Sequence, residues 1–271
     1  MKLNPNCLLS EEQIKRYDSF IEQIKNPINC SKLSDLYCVL LQTSFGLEEN
    51  KNSFSINNVE KFSGEILSKL LNEGWAIIGC FEKAAFLSSF HHTRAALELI
   101  ACYYWTTYKE SKIQKRIEKY FEFKNLYLYQ LFVKYGNSPD KDSILPLFNF
   151  TDEQILCWKS RELEWKNLFK PVDDNLLKVK NWYYNTLIDH MLEEFPNKKL
   201  KLFYEEFSHA THFSPFSRFL GTSDTIIGLP INIEGDLSEI NRPLTIYLDS
   251  LEFLLSWIEK STRINIKVKF P

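Results

Sequence analysis

The chain of 271 residues is 44% apolar, 15% aromatic and 25% charged, which excludes a disordered polymer and allows one sizeable core. A net charge of −2 excludes a broadly basic surface of the kind that coats nucleic acid, while leaving room for a locally positive cleft. With 8 Gly and 10 Pro, turn-makers are too scarce for many short strands, so few, long, helical elements are expected.

The first element opens at a capping box, "SEEQ", with Ser10 as N-cap and Gln13 three residues on, and runs to about Lys25. "LSDLYCVLLQTSF" is a second helix, expected to stop near Gly46. From Val59 the spacing Phe62, Ile66, Leu70 sets an apolar face, and one long helix is expected over about 75–108. A further helix covers about 111–135, and "GNSPDKDS" is the clearest loop. "TDEQ" at 151–154 is a second capping box, opening a helix to about Phe169. Helices over about 174–195 and 198–213 follow, parted at Pro196.

The last sixty or so residues change character. "TIIGLPINI" (225–233) is β-rich, "PLTIYLDSLEFLLSWIEKS" is helical with Pro243 suited to the first helical position, and "RINIKVKF" alternates strictly. That alternation puts Ile264, Ile266, Val268 and Phe270 on one face. The expected fold is therefore mainly α: a helical bundle with a small two-stranded β ribbon near the C-terminus, made by 225–233 and 263–270. Residues 1–50 are expected to form an N-terminal helical hairpin, and 51–271 the bundle with its ribbon.

Six scattered cysteines with no C-x-x-C pair, an N-terminus without an apolar signal region, and no apolar run of membrane-spanning length fit a soluble protein of the reducing cytoplasm. Cys80 and Cys102 fall in apolar helical pattern, as small hydrophobes do.

Four of the five histidines fall in two short segments, "FHHTRAALELIACYYW" (90–105) and "FYEEFSHATHFSP" (203–215). At helical spacing the first groups Ser88, His91, Arg94, Glu98 and Cys102 on one stripe, with Arg94 and Glu98 placed to pair at i, i+4. In the second, Tyr204, Ser208 and His212 share a stripe at i, i+4, i+8, with Glu205 and His209 alongside. Any one of these residues has an ordinary structural role open to it, a solvated face or a satisfied buried histidine. Two polar stripes in one bundle mark a site. If both are buried they need each other, so Arg94 or Glu98 is expected within hydrogen-bond reach of Tyr204, Ser208 or His212. Removing Arg94 from a buried pair is then expected to cost about 3–5 kcal/mol.

The runs "RAALE" (94–98) and "YEEFSHATH" (204–212), with Ser214 and Pro215, resemble a broad bacterial group of uncharacterised helical proteins. In that group one helix carries Arg-x-x-x-Glu and a later one Tyr-x-x-x-Ser-x-x-x-His. Some of its members are similar to the HEPN superfamily of ribonuclease toxins and phage-defence proteins. The resemblance implies a helical bundle and a phosphodiester-directed activity. Arg94, Glu98, Tyr204, Ser208 and His212 would then be the catalytic set, and His91 and His209 ligand-binding neighbours. HEPN ribonucleases carry Arg-x(4–6)-His, and no histidine here has an arginine five to seven residues upstream. Arg94 would have to reach His212 from another helix.

Three readings follow. The first is a pocket acting on RNA or binding a phosphate-bearing ligand, with Arg94 holding phosphate and His212 as acid/base. The second is a non-catalytic helical interaction protein whose polar cluster fixes helix register. The third, ranked last, is a metal-dependent enzyme using His209 and His212, for which Glu206/His209 is the one visible E-x-x-H. No cofactor and no bound metal are expected, because Arg94's fixed charge repels a divalent cation. No membrane partner is expected; a homo-oligomer is left open.

Overall fold

The computed structural model describes residues 15, 31–82, 86–138, 141–170, 175–180, 182, 193–211 and 237–271. These form helices α1 (Ser31–Glu49), α2 (Asn58–Glu82), α3 (Phe86–Thr107), α4 (Glu110–Gly136), α5 (Asp152–Ser160), α6 (Glu162–Phe169), α7 (Lys198–Thr211) and α8 (Leu237–Thr262), with a single α-helical turn at Lys141–Ile144 and short 3-10 turns between. The mainly helical expectation is met. The first helix expected from the sequence, the greater part of 174–195, and the segment 225–233 lie outside the described residues.

The chain divides into two compact units, one of Met1–Tyr103 with Phe195–Pro271, the other of Tyr104–Glu194. In the first unit α1, α2 and α8 pack mutually, and α7 packs on α8. Their apolar stripes meet in a core that includes Leu36, Leu40, Phe62, Ile66, Tyr247 and Leu251, all fully buried. Gly74 lets α2 pass close to α1 and α8. A Cβ there would lie 2.5 Å from the Tyr247 hydroxyl and 2.6 Å from Leu40 Cδ2. The same hydroxyl donates to the Leu70 carbonyl at 2.6 Å, satisfying a phenol that burial would otherwise penalise.

The second unit is built on α4, against which α5 and α6 pack. Its core joins Leu126 to Trp158, Trp165, Leu168, Phe169, Leu176 and Val179. Gln130 Nε2 donates to the Leu176 and Val179 carbonyls at 2.6 and 2.8 Å, so one side-chain amide ties α4 to two backbone acceptors at the end of the 176–178 turn. The capping box at Thr151 forms as read: Thr151 Oγ1 accepts from the Gln154 amide at 3.2 Å, and Gln154 Oε1 accepts from the Thr151 amide at 2.9 Å.

Three expectations are corrected, and a fourth is not shown. The helix expected over 75–108 is two, α2 ending at Glu82 and α3 starting at Phe86. The second helix passes through Gly46 to Glu49. That glycine is a contact point and not a terminator, because a methyl there would collide with Ile266. Pro243 lies inside α8, which begins six residues earlier at Leu237. The β ribbon is not seen: 263–271 forms no strand with any described residue, and its expected partner lies outside them.

The alternation in that tail is nevertheless real. Ile264 and Ile266 are buried while Arg263, Asn265, Lys267 and Lys269 are exposed. Arg263 takes a left-handed backbone (φ 65) and donates its amide to the Glu259 carbonyl at 3.0 Å, ending α8. The Lys269 amide then donates to Gln42 Oε1 on α1 at 2.9 Å. Alternation reports that one side of a segment is buried; it does not require that the burying surface be a strand. Here α1 supplies it.

Candidate functional site

Helix α3 buries Phe90, Thr93, Ala96, Leu97, Ile100 and Ala101, so Arg94 and Glu98 fall on the margin of its apolar face. Helix α7 buries Leu200, Tyr204 and Phe207 at i, i+4, i+7. Phe90 and Phe207 meet edge to face, ring centroids 4.9 Å apart. One helical turn further along α3 and one turn back along α7, Arg94 Nη2 donates to the Tyr204 hydroxyl at 3.4 Å and lies 3.2 Å from Glu98 Oε1. The Tyr204 hydroxyl donates to Glu98 Oε1 at 3.1 Å. The guanidinium carbon also stands 5.4 Å from the Tyr204 ring centre. The two helices therefore run antiparallel at this contact, and the expected link between the two polar stripes is made by Arg94, Glu98 and Tyr204.

The electrostatics follow from who is buried. Tyr204 is almost fully buried, whereas the Arg94 and Glu98 side chains keep 22% and 39% of their surface. Burial, chiefly, raises the Tyr204 pKa above the ordinary phenol value; Arg94 pulls it down and Glu98 pushes it up. The phenol thus stays protonated and donates to the carboxylate. One turn further along α3, burial and then the Glu98 charge raise the Cys102 thiol to about 12, so this cysteine is an inert thiol in the wall of the cluster. Glu98 at 39% exposure is not a stranded buried charge, and the cost expected for removing Arg94 falls accordingly.

Of the other candidates, His91 is exposed on α3. Ser208 and His209 stand on the last turn of α7 after Tyr204, of which the backbone alone is described, and His212 lies outside the described residues. The antiparallel register carries that last turn of α7 toward the N-terminal end of α3, where His91 stands. Among the described residues no group of three or more His, Cys, Asp and Glu is placed to hold a metal ion. No described helix is long and apolar enough to cross a membrane.

Nothing in the sequence pattern marks His92, yet it carries a tertiary contact: its Nδ1 lies 2.7 Å from Glu73 Oε2 and ties α3 to α2. A second polar link, the Tyr103 hydroxyl at 2.7 Å from Ser63 Oγ and 2.8 Å from Ser261 Oγ, joins α3 to α2 and α8. Neither residue has a sequence signature beyond a polar atom in an apolar stretch.

Fold and site together define a mainly helical architecture with an Arg–Glu–Tyr cluster bridging two antiparallel helices. Comparison with protein-family models, with curated proteins and with solved structures found no match.

Proposed function

We propose that the Arg94–Glu98–Tyr204 cluster is the fixed part of a site for a phosphodiester or other phosphate-bearing ligand, with RNA as the substrate class. Ser208 and His212, continuing the Tyr204 stripe, complete it, and His91 and His209 flank it. The reading keeps the HEPN-like and phage-defence character implied by the sequence motifs, and a place in the reducing cytoplasm. The observation that carries it is the Arg94 guanidinium, held at one Nη2 by Glu98 and Tyr204 while a fifth of its side chain stays open. A guanidinium oriented before the ligand arrives spends no reorganisation on binding an oxyanion. In this scheme Arg94 steadies charge on the phosphorus oxygens, His212 transfers the proton, and Glu98 and Tyr204 are positioning residues for Arg94.

Purified protein incubated with a labelled single-stranded RNA tests this. Cleavage or ligand binding that is lost in Arg94→Ala and in His212→Ala, with the fold retained, supports the site. An RNA left intact and unbound by the wild-type chain rejects it.

One observation favours a second reading. Glu98 already neutralises Arg94 within the cluster, which is what a register-fixing link between α3 and α7 in a non-catalytic interaction protein needs. On that reading Arg94→Ala changes stability and leaves every binding assay untouched.

A further inference from the structure

The second unit carries a positive cluster that the Arg94 site does not use. On α4, Lys112, Lys115, Arg116 and Lys119 fall at i, i+3, i+4 and i+7, one face of one helix. Lys170 ends α6 beside them, in a left-handed backbone conformation (φ 44) that a side chain disfavours and glycine adopts freely. Arg116 forms the floor. It is buried, donates through Nη1 to the Trp105 carbonyl, and lies 3.7 Å over the Trp105 ring. Burial lowers its pKa from the ordinary arginine value, and Tyr108 and Glu194 favour its charge against that.

Lys119 is the informative member. It is half-buried, and the charges felt at its ammonium are those of Lys115, Arg116 and Lys170, all positive. Burial first, and then these three cations, hold its pKa below the ordinary lysine value. Glu118 shares the helix, but among the described residues no ion pair joins it to Lys115 or Lys119. A cation at the end of α6 answers that helix's terminal carbonyls, which accounts for Lys170 alone. It does not account for two lysines from a different helix converging on the same place. Like charges held together at a cost are explained by an anion that relieves them.

Aromatic rings stand next to the cluster. Tyr120 follows Lys119 and meets Trp182 edge to face at 5.4 Å, both half-buried, with Trp105 6.1 Å from Trp182. Lysines beside partly open aromatic rings fit a polymer that offers phosphate and flat bases together.

We propose that Lys115, Lys119 and Lys170 form a phosphate-backbone contact for single-stranded nucleic acid, with Tyr120 and Trp182 as neighbouring stacking surfaces. This goes beyond the Arg94 site: it lies wholly in the second unit, concerns binding and not cleavage, and needs none of the Arg94 chemistry.

The test is fluorescence anisotropy of the full chain with a labelled oligouridine of about twenty nucleotides, titrated across a range of salt. The expected result is salt-dependent binding that the triple variant Lys115→Gln/Lys119→Gln/Lys170→Gln weakens about tenfold or more at low salt. The same variant should lower the slope of log affinity against log salt by about two, at roughly 0.7 per lost phosphate contact. The triple Lys→Arg variant should keep both, and a charge-matched control, Lys260→Gln/Lys267→Gln/Lys269→Gln, should change neither. Thermal melting shows whether the triple variant folds, and Lys119→Gln alone is read in its place if it does not. The proposal is overturned if the wild-type chain does not bind the oligonucleotide, if the control triple weakens binding equally, or if vesicles of anionic phospholipid displace the RNA at matched phosphate concentration. Binding without cleavage retains this proposal and rejects the Arg94 reaction; cleavage unaffected by the triple variant does the reverse.

Discussion

Tyr204 donates its hydroxyl proton to Glu98 Oε1 across 3.1 Å, joining helices whose contact residues are 106 positions apart in the chain. The ring is buried and the carboxylate partly open, so the hydroxyl can be deleted while the packing stays. Tyr204→Phe is expected to cost about 1 kcal/mol, the ordinary net worth of one hydrogen bond, read as a small drop in melting temperature. Arg94→Ala should cost about 1 kcal/mol as well and not the 3–5 kcal/mol of a buried pair, because Glu98 regains water when its partner goes. Chemical denaturation of both variants measures it; a loss above about 3 kcal/mol for Arg94→Ala would show that the pair is sealed from solvent.

Two glycines of α2 should respond oppositely to the same substitution. A Cβ on Gly74 meets the Tyr247 hydroxyl and Leu40, while a Cβ on Gly79 meets nothing within 4 Å. Gly79→Ala is expected to stabilise by about 0.5–1 kcal/mol through helix propensity. Gly74→Ala gains the same propensity and loses more to overpacking, for a net cost of roughly 1–2 kcal/mol. Paired thermal melts decide; equal shifts for the two would mean that α2 does not sit this close to α1 and α8.

The C-terminal tail is expected to be part of the first unit's core. Ile266→Ala removes a buried side chain that rests on Gly46, at a cost of about 2 kcal/mol, whereas Lys267→Ala beside it should change stability by less than about 0.5 kcal/mol. Melting curves that do not distinguish the two would place the tail in solvent.

Alkaline pH should unfold the chain in a way that traces to buried phenols. Burial raises Tyr103 from 10.0 to about 12 and Tyr247 well above 10.0. Above pH 10 the unfolded chain loses these protons while the folded chain keeps them, so stability is complete below pH 10 and falls as pH rises toward the folded values. Tyr103 accounts for about 3 kcal/mol of that loss once pH passes 12, at about 1.4 kcal/mol per pH unit. Tyr103→Phe should flatten the decline between pH 10 and 12 in denaturant melts. An unchanged slope would show that Tyr103 does not carry it.

What the sequence disclosed was whatever depends on local spacing. The Thr151 capping box, the i, i+4 pairing of Arg94 with Glu98 and the alternation of Ile264 with Ile266 all show in the residues themselves, and each is present. What it concealed depends on neighbours distant in the chain. Gly46 looks like a helix end until Ile266 is seen against it, and nothing local marks Gly74 as the point where Tyr247 and Leu40 come close. Pro243 looks like a helix start until α8 is seen to begin at Leu237. The alternation in the tail does not say what buries it, because burial by a helix and burial by a sheet leave the same period-two mark. The pairing of His92 with Glu73, 19 positions apart, is invisible for the same reason: nothing between them fixes which faces of α2 and α3 meet.

On the proposed function, Arg94 is held for a ligand and not only for α7. Turnover of a single-stranded RNA by the Arg94→Lys variant, set beside its melting temperature, tests that most directly. Lysine keeps the charge and loses the planar fork that Glu98, Tyr204 and a phosphate would share. The expected result is a wild-type chain that cleaves the RNA, and a variant that melts within a few degrees of it yet turns over about a hundredfold or more slowly. A wild-type chain with no turnover, or a variant whose turnover falls only as far as its stability does, would contradict it and leave the cluster as a link between two helices.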